Sequence, residues 1–301
     1  MRYFFTKGYI LMGATTSMYV AQGIHGLAYG MVLFLIASGL NIIFGMMGIL
    51  NLAHGAFFML SAYFCYSVLN LTGNFWLALL LAPLFTAFFG ILLERFFLRK
   101  MHAMGHMGEL IMTLGVSLVI LAAVKIFWGT ENLPVKMPPI LEGMVSLGGL
   151  EYPVYRLFII GLAGVILAIM TLLLYKTRLG KIVRAAVSDR EMVNALGINI
   201  PVVFMFVFGI GTWMAGVAGV VIAPILTVFP GLADQVGMDA FLVVITGGFG
   251  SLLGAVIVSI IFGLLSSYGV QFLSQLAPVV MVGFMALVLA IRPSGLFGVK
   301  E

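Results

Sequence analysis

Apolar stretches of about 20 residues recur along almost the whole chain, and nothing else in the sequence constrains the fold so strongly. A helix of that length crosses the hydrocarbon of a bilayer with its backbone hydrogen bonds satisfied internally, as lipid requires. The stretches run at Phe4–Val20, Ile24–Phe44, Ile49–Leu69, Phe75–Phe97, Leu110–Trp128, Tyr155–Tyr175, Val202–Val228, Phe241–Tyr268 and Leu276–Ile291. The first is weakly apolar and fits either a span or an interfacial helix. Of 301 residues, 63% are hydrophobic and 8% charged, against roughly 25% charged in a soluble domain. The expected fold is all-α: a polytopic helical bundle of about eight spans, forming a single transmembrane domain over residues 1–301.

Charge orients the spans, because cytoplasmic loops collect Lys and Arg. Arg95, Arg99 and Lys100 follow the Phe75–Phe97 stretch, and Arg292 and Lys300 follow the last one. Lys176, Arg178, Lys181, Arg184 and Arg190 follow Tyr155–Tyr175, and Arg2 and Lys7 are expected on the same inner side. The loop Gly129–Tyr155 sets Glu131, Glu142 and Glu151 against Lys136, and Pro134, Pro138 and Pro139 forbid a long helix there, so it reads as external. Asp234 and Asp239 are expected in the next external loop. The net charge of +5 is explained by these inner loops rather than by nucleic acid. Cys65 stands alone, which excludes an intramolecular disulfide. The N-terminal segment has no clear small-residue cleavage pattern, so it is read as uncleaved.

One crossing by Phe241–Tyr268 would deliver Arg292 to the wrong side. Ile245–Ala255, ITGGFGSLLGA, offers a repair with four glycines in an apolar run. A segment that enters from outside, turns at Gly247–Gly250 and returns outward restores Arg292 to the cytoplasm. Such a glycine-broken re-entrant segment is tolerated only where protein or a cavity surrounds it. The competing account is that the glycines simply allow close helix packing.

Residues 176–200, KTRLGKIVRAAVSDREMVNALGINI, hold five of the fifteen Lys and Arg residues. Leu179–Val187 favours helix, Ser188 and Glu191 have the spacing of a capping box that opens a second helix at Asp189, and Gly197 closes it. Pro201 opens the next span. Small apolar residues beside Arg184, Asp189 and Arg190 suit a helix seated in another protein's groove; a basic helix resting on lipid headgroups is the alternative.

Asn41, Asn51 and His54 are polar side chains in the most apolar region, where an unpartnered polar group costs ~1–3 kcal/mol. With Thr246 and Ser251 beside the glycines, they either line a translocation pathway or bond to neighbouring backbone. Asn51 can cap the helix through His54, whose N-terminus would favour a substrate carboxylate. Glu94 beside Arg95 is read as a span-end residue, so no firmly membrane-buried acid supports a proton relay, and Lys125 can snorkel near an outer end. His102, His106 and Glu109 could share a helix face but lack a further fixed ligand, and no metal site is expected. His25 and Cys65 are assigned to packing. No catalytic pair accompanies His54, and no phosphate-binding G-x-x-x-x-G-K-[ST] loop exists, so any ATP must be bound by another chain.

GKIVRAAVSDREMVNALGI resembles the coupling-helix region of the branched-chain amino acid permeases of ABC importers, the LivH family. FGMMGILNLAHGAFFMLSAY (Phe44–Tyr63), VITGGFGSLLGA and the terminal RPSGLFG (Arg292–Gly298) are similar to its other motifs, in the same order. The resemblance implies a type II ABC importer permease of the inner membrane, taking branched-chain or other hydrophobic amino acids, with urea and short amides also served within the family. It implies no cofactor on this chain, ATP and Mg on two cytoplasmic ATPase partners, a homologous LivM-like second permease and an external solute-binding protein. It also implies that Arg184, Ala185, Asp189 and Gly197 are the motif positions of the ATPase contact. A self-contained secondary transporter or channel is the runner-up, and a membrane-embedded enzyme the third possibility.

Overall fold

The computed structural model describes the backbone of residues 2–101, 104–147, 150–273 and 276–298, with side chains from Met18 onward except at 147, 150, 187, 188, 190, 191 and 273. Helix α1 (Arg2–Met47) joins the first two apolar stretches without a break. One continuous helix with its Met47 end on the inner side carries Arg2 and Lys7 past His25 to the opposite end, so their expected inward placement is corrected. Then come α2 (His54–Thr72) and α3 (Phe75–Leu93), which runs through a π-helical turn at Glu94–Leu98 into the three-residue α4 (Arg99–Met101). Helix α5 (Gly105–Trp128) leads to the external loop. That loop holds no long helix, as its prolines require, but adds an antiparallel hairpin of β1 (Met144–Leu147) and β2 (Leu150–Pro153), with Val145 opposite Tyr152. Helix α6 (Val154–Lys176) returns to the inner side, where α7 (Arg178–Ser188) and α8 (Arg190–Ala195) precede α9 (Ile200–Leu226). The chain ends with α10 (Leu232–Gly247), α11 (Leu252–Leu273) and α12 (Ala277–Ile291).

Among the described residues, seven helices are long and apolar enough to cross a bilayer, and α12 is a shorter eighth apolar helix. Burial separates centre from rim: 78% of the most apolar window is buried in α1 and in α9, against 11% in α5 and 22% in α6. The rim helices expose Leu118, Ile126, Val165 and Leu172 to where lipid lies. Lipid supplies no hydrophobic drive between helices, so close approach of small residues does the packing. A Cβ on Gly30 would stand 2.6 Å from Ser259 O, and one on Gly26 2.9 Å from Gly263 O, which brings α1 against α11 backbone to backbone. Helix α9 repeats this, since a Cβ on Gly219 would overlap the Phe58 carbonyl of α2.

The reversal occurs where the glycines are. Helix α10 ends at Gly247 and α11 starts at Leu252. The two accounts of the glycines are both met, at different positions: Gly248 (φ +96°) and Gly250 (φ +77°) adopt the left-handed backbone that the turn needs, while a Cβ on Gly247 would lie 2.7 Å from Gly254 C. Asp234 and Asp239 are not in an external loop as expected. They sit within α10, because Leu232, Val236, Ala240, Val243 and Val244 continue a helical apolar face toward the bundle; Asp234 is exposed on another face, while Asp239 stands on the packed face, where Tyr29 pairs with it.

Candidate functional site

The reversal is tied to the inner end of α1. Asn41 donates from Nδ2 to Ser251 O at 3.0 Å and accepts on Oδ1 from Gly250 N at 3.1 Å. Ser251 Oγ accepts from Gly254 N at 3.0 Å, capping α11. Thr246 donates its hydroxyl to Leu242 O at 2.7 Å, and its own carbonyl accepts from Leu296 N at 2.9 Å. Gly247 O accepts from Phe297 N at 3.0 Å, and Arg292 donates to Leu296 O at 3.0 Å. The terminal RPSGLFG therefore folds over the glycine break and closes the C-terminal carbonyls of α10.

Beside this knot lies an inner cavity of about 580 Å³, lined by Asn41, Phe44, Gly45, Tyr175, Arg184 and Ser251 among others. It brings Asn41 and Ser251 to one wall and Arg184 to the other. Arg184 turns back onto its own spans: it donates to the Leu174 carbonyl and lies 5.2 Å over the Tyr175 ring. The two-helix reading of 176–200 is seen as α7 and α8, with a corrected cap. The α8 N-cap is Asp189, whose Oδ1 accepts from Met192 N at 2.9 Å; the side chains of Ser188 and Glu191 are outside the described residues. Gly197 (φ +80°) follows α8, and Asn199 caps α9 with Pro201 in its first turn. Val183, Ala186 and Val193 are buried with Ile43, Met46, Leu98 and Phe204 in one apolar cluster, which seats α7 and α8 on the inner ends of α1, α3 and α9. Ala185, Asp189 and Gly197 face out.

Asn51 and His54 lie apart from this cavity, both fully buried. Asn51 Oδ1 accepts from Ala53 N at 3.1 Å, capping the turn before α2 rather than the helix itself, and Nδ2 has no partner among the described residues. His54 Nε2 meets Ile36 O at 3.1 Å; a carbonyl only accepts, so Nε2 carries the hydrogen and Nδ1 is an acceptor with no partner among the described residues. Glu94 corrects a second expectation. It is fully buried at the start of the π-helical turn, with both carboxyl oxygens unpartnered among the described residues. Glu94 stands where α3 passes into the π-helical turn and faces the packed bundle rather than a solvated span end. His106 Nδ1 and Glu109 Oε2 are 3.5 Å apart, and His102 lies outside the described residues.

At the opposite end, α1, α6, α9 and α11 enclose an outer cavity of about 450 Å³ that the sequence reading missed. Gln22, His25, Tyr29, Arg156 and Ser267 supply its polar wall. Tyr29 donates to Asp239 Oδ2 at 2.7 Å, Gln22 donates to Ser267 O at 2.6 Å, and the Tyr152 hydroxyl pairs with His25 Nδ1 at 3.0 Å. Burial holds the Tyr152 phenol above its ordinary pKa, so it stays a hydroxyl. His25 is thus more than packing. The available signal was the run Gln22, His25, Tyr29, three and four residues apart on one face of a span.

Residues 23–291 match the family described as branched-chain amino acid transport system, permease component. The permease protein BraD of a high-affinity branched-chain amino acid transport system from Pseudomonas aeruginosa is 29% identical, covering 94% of this chain and 97% of its own. LivH of Escherichia coli K12 is 28% identical over 94% and 96%, and a probable LivH of Methanocaldococcus jannaschii 25% identical over 90% of each. Among solved structures, PsaBC from Streptococcus pneumoniae is similar over 91% of this chain and 92% of its own, at a TM-score of 0.49 and 11% identity. With 269 consecutive positions matched in this way, the chain belongs to the permease component family of branched-chain amino acid transport systems, the LivH family, and is a multi-pass protein of the inner membrane.

Proposed function

We infer that this chain is the permease subunit of an ABC importer that moves branched-chain or other hydrophobic amino acids inward, with ATP hydrolysed on partner subunits. The observation behind this is the α7–α8 element. Its inner face is buried on the ends of three central helices, yet Leu179 (49%), Met192 (58%) and Leu196 (72%) stand exposed on the cytoplasmic side. A loop needed only for topology requires neither the caps nor an apolar outer face. Seated in a groove of an ATPase subunit, these residues would be covered, and the buried face would pass ATPase closure to α1, α3 and α9 as a rigid lever. Arg184, Ala185, Asp189 and Gly197 belong to that contact. The full assembly comprises a second, homologous permease, two ATPases binding ATP and Mg, and an external solute-binding protein.

The test is Leu196→Asp, with Leu196→Ala as its mild counterpart, in membranes that express the complete system. The aspartate variant should insert normally, lose co-purifying ATPase and lose ATP-driven leucine uptake. Normal uptake by that variant would reject the docking role.

A further inference from the structure

We propose that the outer cavity is a binding subsite for an α-amino acid, with the carboxylate held at Arg156 and the aliphatic side chain against Val32, Ile159, Ile222 and Ile225. The proposal rests on the importer reading above and gives it a solute site in this chain. Its first support is the state of Arg156. The guanidinium lines the cavity beside His25 and hydrogen-bonds the Tyr152 hydroxyl, and among the described residues it makes no ion pair, so it has donors left for a carboxylate. A half-buried planar fork of donors without a carboxylate partner is suited to receive one.

The second support is the hydrogen-bonding polarity of the facing wall. Tyr29 commits its single hydroxyl hydrogen to Asp239, so its oxygen can only accept from anything in the cavity. Gln22 spends an amide hydrogen on Ser267 O, and its side-chain carbonyl is likewise an acceptor. Donors on α6 therefore oppose acceptors on α1, with the Asp239 carboxylate directly behind them. That is the complement of a zwitterion, whose carboxylate and ammonium point apart. The third support is the floor. Val32, Ile159, Ile222 and Ile225 line the cavity and give it an aliphatic side for a branched side chain. The volume lies within the usual range of small-molecule sites, roughly 300–1,000 Å³. A neutral amide such as urea would leave Arg156 and the aliphatic floor unused.

The experiment is equilibrium binding of tritiated L-leucine to the purified full chain in nanodiscs, without ATP or partners. Unlabelled L-leucine, L-leucinamide (no carboxylate) and isovalerate (no ammonium) serve as competitors. Wild type should bind leucine and discriminate against both analogues by about tenfold or more, as expected for a lost charge-assisted contact. Arg156→Gln should weaken leucine by a similar factor and stop distinguishing leucine from leucinamide, whereas Arg156→Lys should fall between. Filling the floor with Ile225→Trp should abolish binding with Arg156 intact. Leucine binding unchanged in Arg156→Gln, or leucinamide equal to leucine on wild type, would overturn the proposal; the second comparison needs no variant to fold. Absence of leucine binding to folded wild type would overturn it too. The importer reading fails separately: ATP-driven uptake undiminished in Leu196→Asp would sink that reading, while normal uptake in Arg156→Gln would sink the subsite alone.

Discussion

Replacing Asn41 by leucine tests how much of the inner reversal hangs on one side chain. Asn41 is 2% exposed and uses both ends of its amide on the turn, on Gly250 N and Ser251 O. Leucine is close in volume but takes this partner from the part-buried N–H of Gly250 and C=O of Ser251, in a four-residue turn that no helical ladder serves. An orphaned buried group costs ~1–3 kcal/mol in soluble proteins, whereas interhelical bonds measured in a membrane average ~0.6 kcal/mol. Two such bonds give an expected loss of about 1–4 kcal/mol. The assay is the unfolding midpoint of the purified chain, with limited proteolysis across residues 248–251 as a local readout. Ser251→Ala is the control, because it removes only the Oγ cap on Gly254 N and keeps the Ser251 carbonyl bonded to Asn41, at a cost of ~1 kcal/mol. Asn41→Leu should open the turn to protease and lower the midpoint more than the control does. If its midpoint equals that of wild type, the turn stands by its own glycine geometry and the account is wrong. If uptake fell with the midpoint unchanged, Asn41 would be touching solute instead.

Three further perturbations separate roles that coincide in one residue. Asp189→Asn keeps an acceptor for Met192 N while removing the charge, so ATP-driven uptake should drop with α8 intact; Asp189→Ala should also cost ~1 kcal/mol of helix stability. Uptake by Asp189→Asn equal to wild type would leave Asp189 as a cap alone. Glu94→Gln replaces a buried, unpartnered carboxyl by a neutral isostere, and thermal unfolding should stay level or rise. A clear fall would reveal that the carboxylate has a partner in the assembled protein. Gly219→Ala should destabilise by ~1–3 kcal/mol through overpacking against Phe58 O, whereas Gly164→Ala, with nothing within 4 Å, should be neutral or gain up to ~1 kcal/mol of helix propensity. Equal behaviour of the two alanines in a denaturation series would refute the close-packing account of α9.

What could be read ahead of the structure was whatever has a short sequence period. Spans follow from apolar length, the α10–α11 break from four glycines within ten residues, and the α7–α8 pair from caps and a C-terminal glycine. Misreadings arose where local signals tie. Ser188 and Asp189 are both good N-caps one residue apart, and only the backbone decides that Asp189 takes Met192 N. Asp234 and Asp239 look like loop residues until the apolar face running from Leu232 to Val244 is seen to pack. The outer cavity was hidden for another reason. Tyr29 meets Asp239 across 210 positions, and Tyr152 meets His25 across 127, so no window of sequence contains the site.

The two cavities share one helix, and this bears on how the chain could work. Gln22, His25 and Tyr29 of α1 line the outer one, and Asn41, Phe44, Gly45 and Gly48 line the inner one. From Tyr29 to Asn41 the helix rises about 18 Å, and Leu33, Leu35, Ile36 and Ala37 between them are fully buried. The α1 segment between the two cavities is thus packed in protein in this conformation. The inner end of α1 is held to α7 through the cluster of Ile43, Met46 and Val183, and along its length α1 lies backbone to backbone on α11. A displacement of α7 by an ATPase would then move α1 and α11 together as a packed pair, because contacts this close cannot slide independently. Crosslinking α1 to α11 should therefore spare both uptake and leucine binding at Arg156, because the two helices move as one body; uptake abolished by the crosslink would show that they slide past one another.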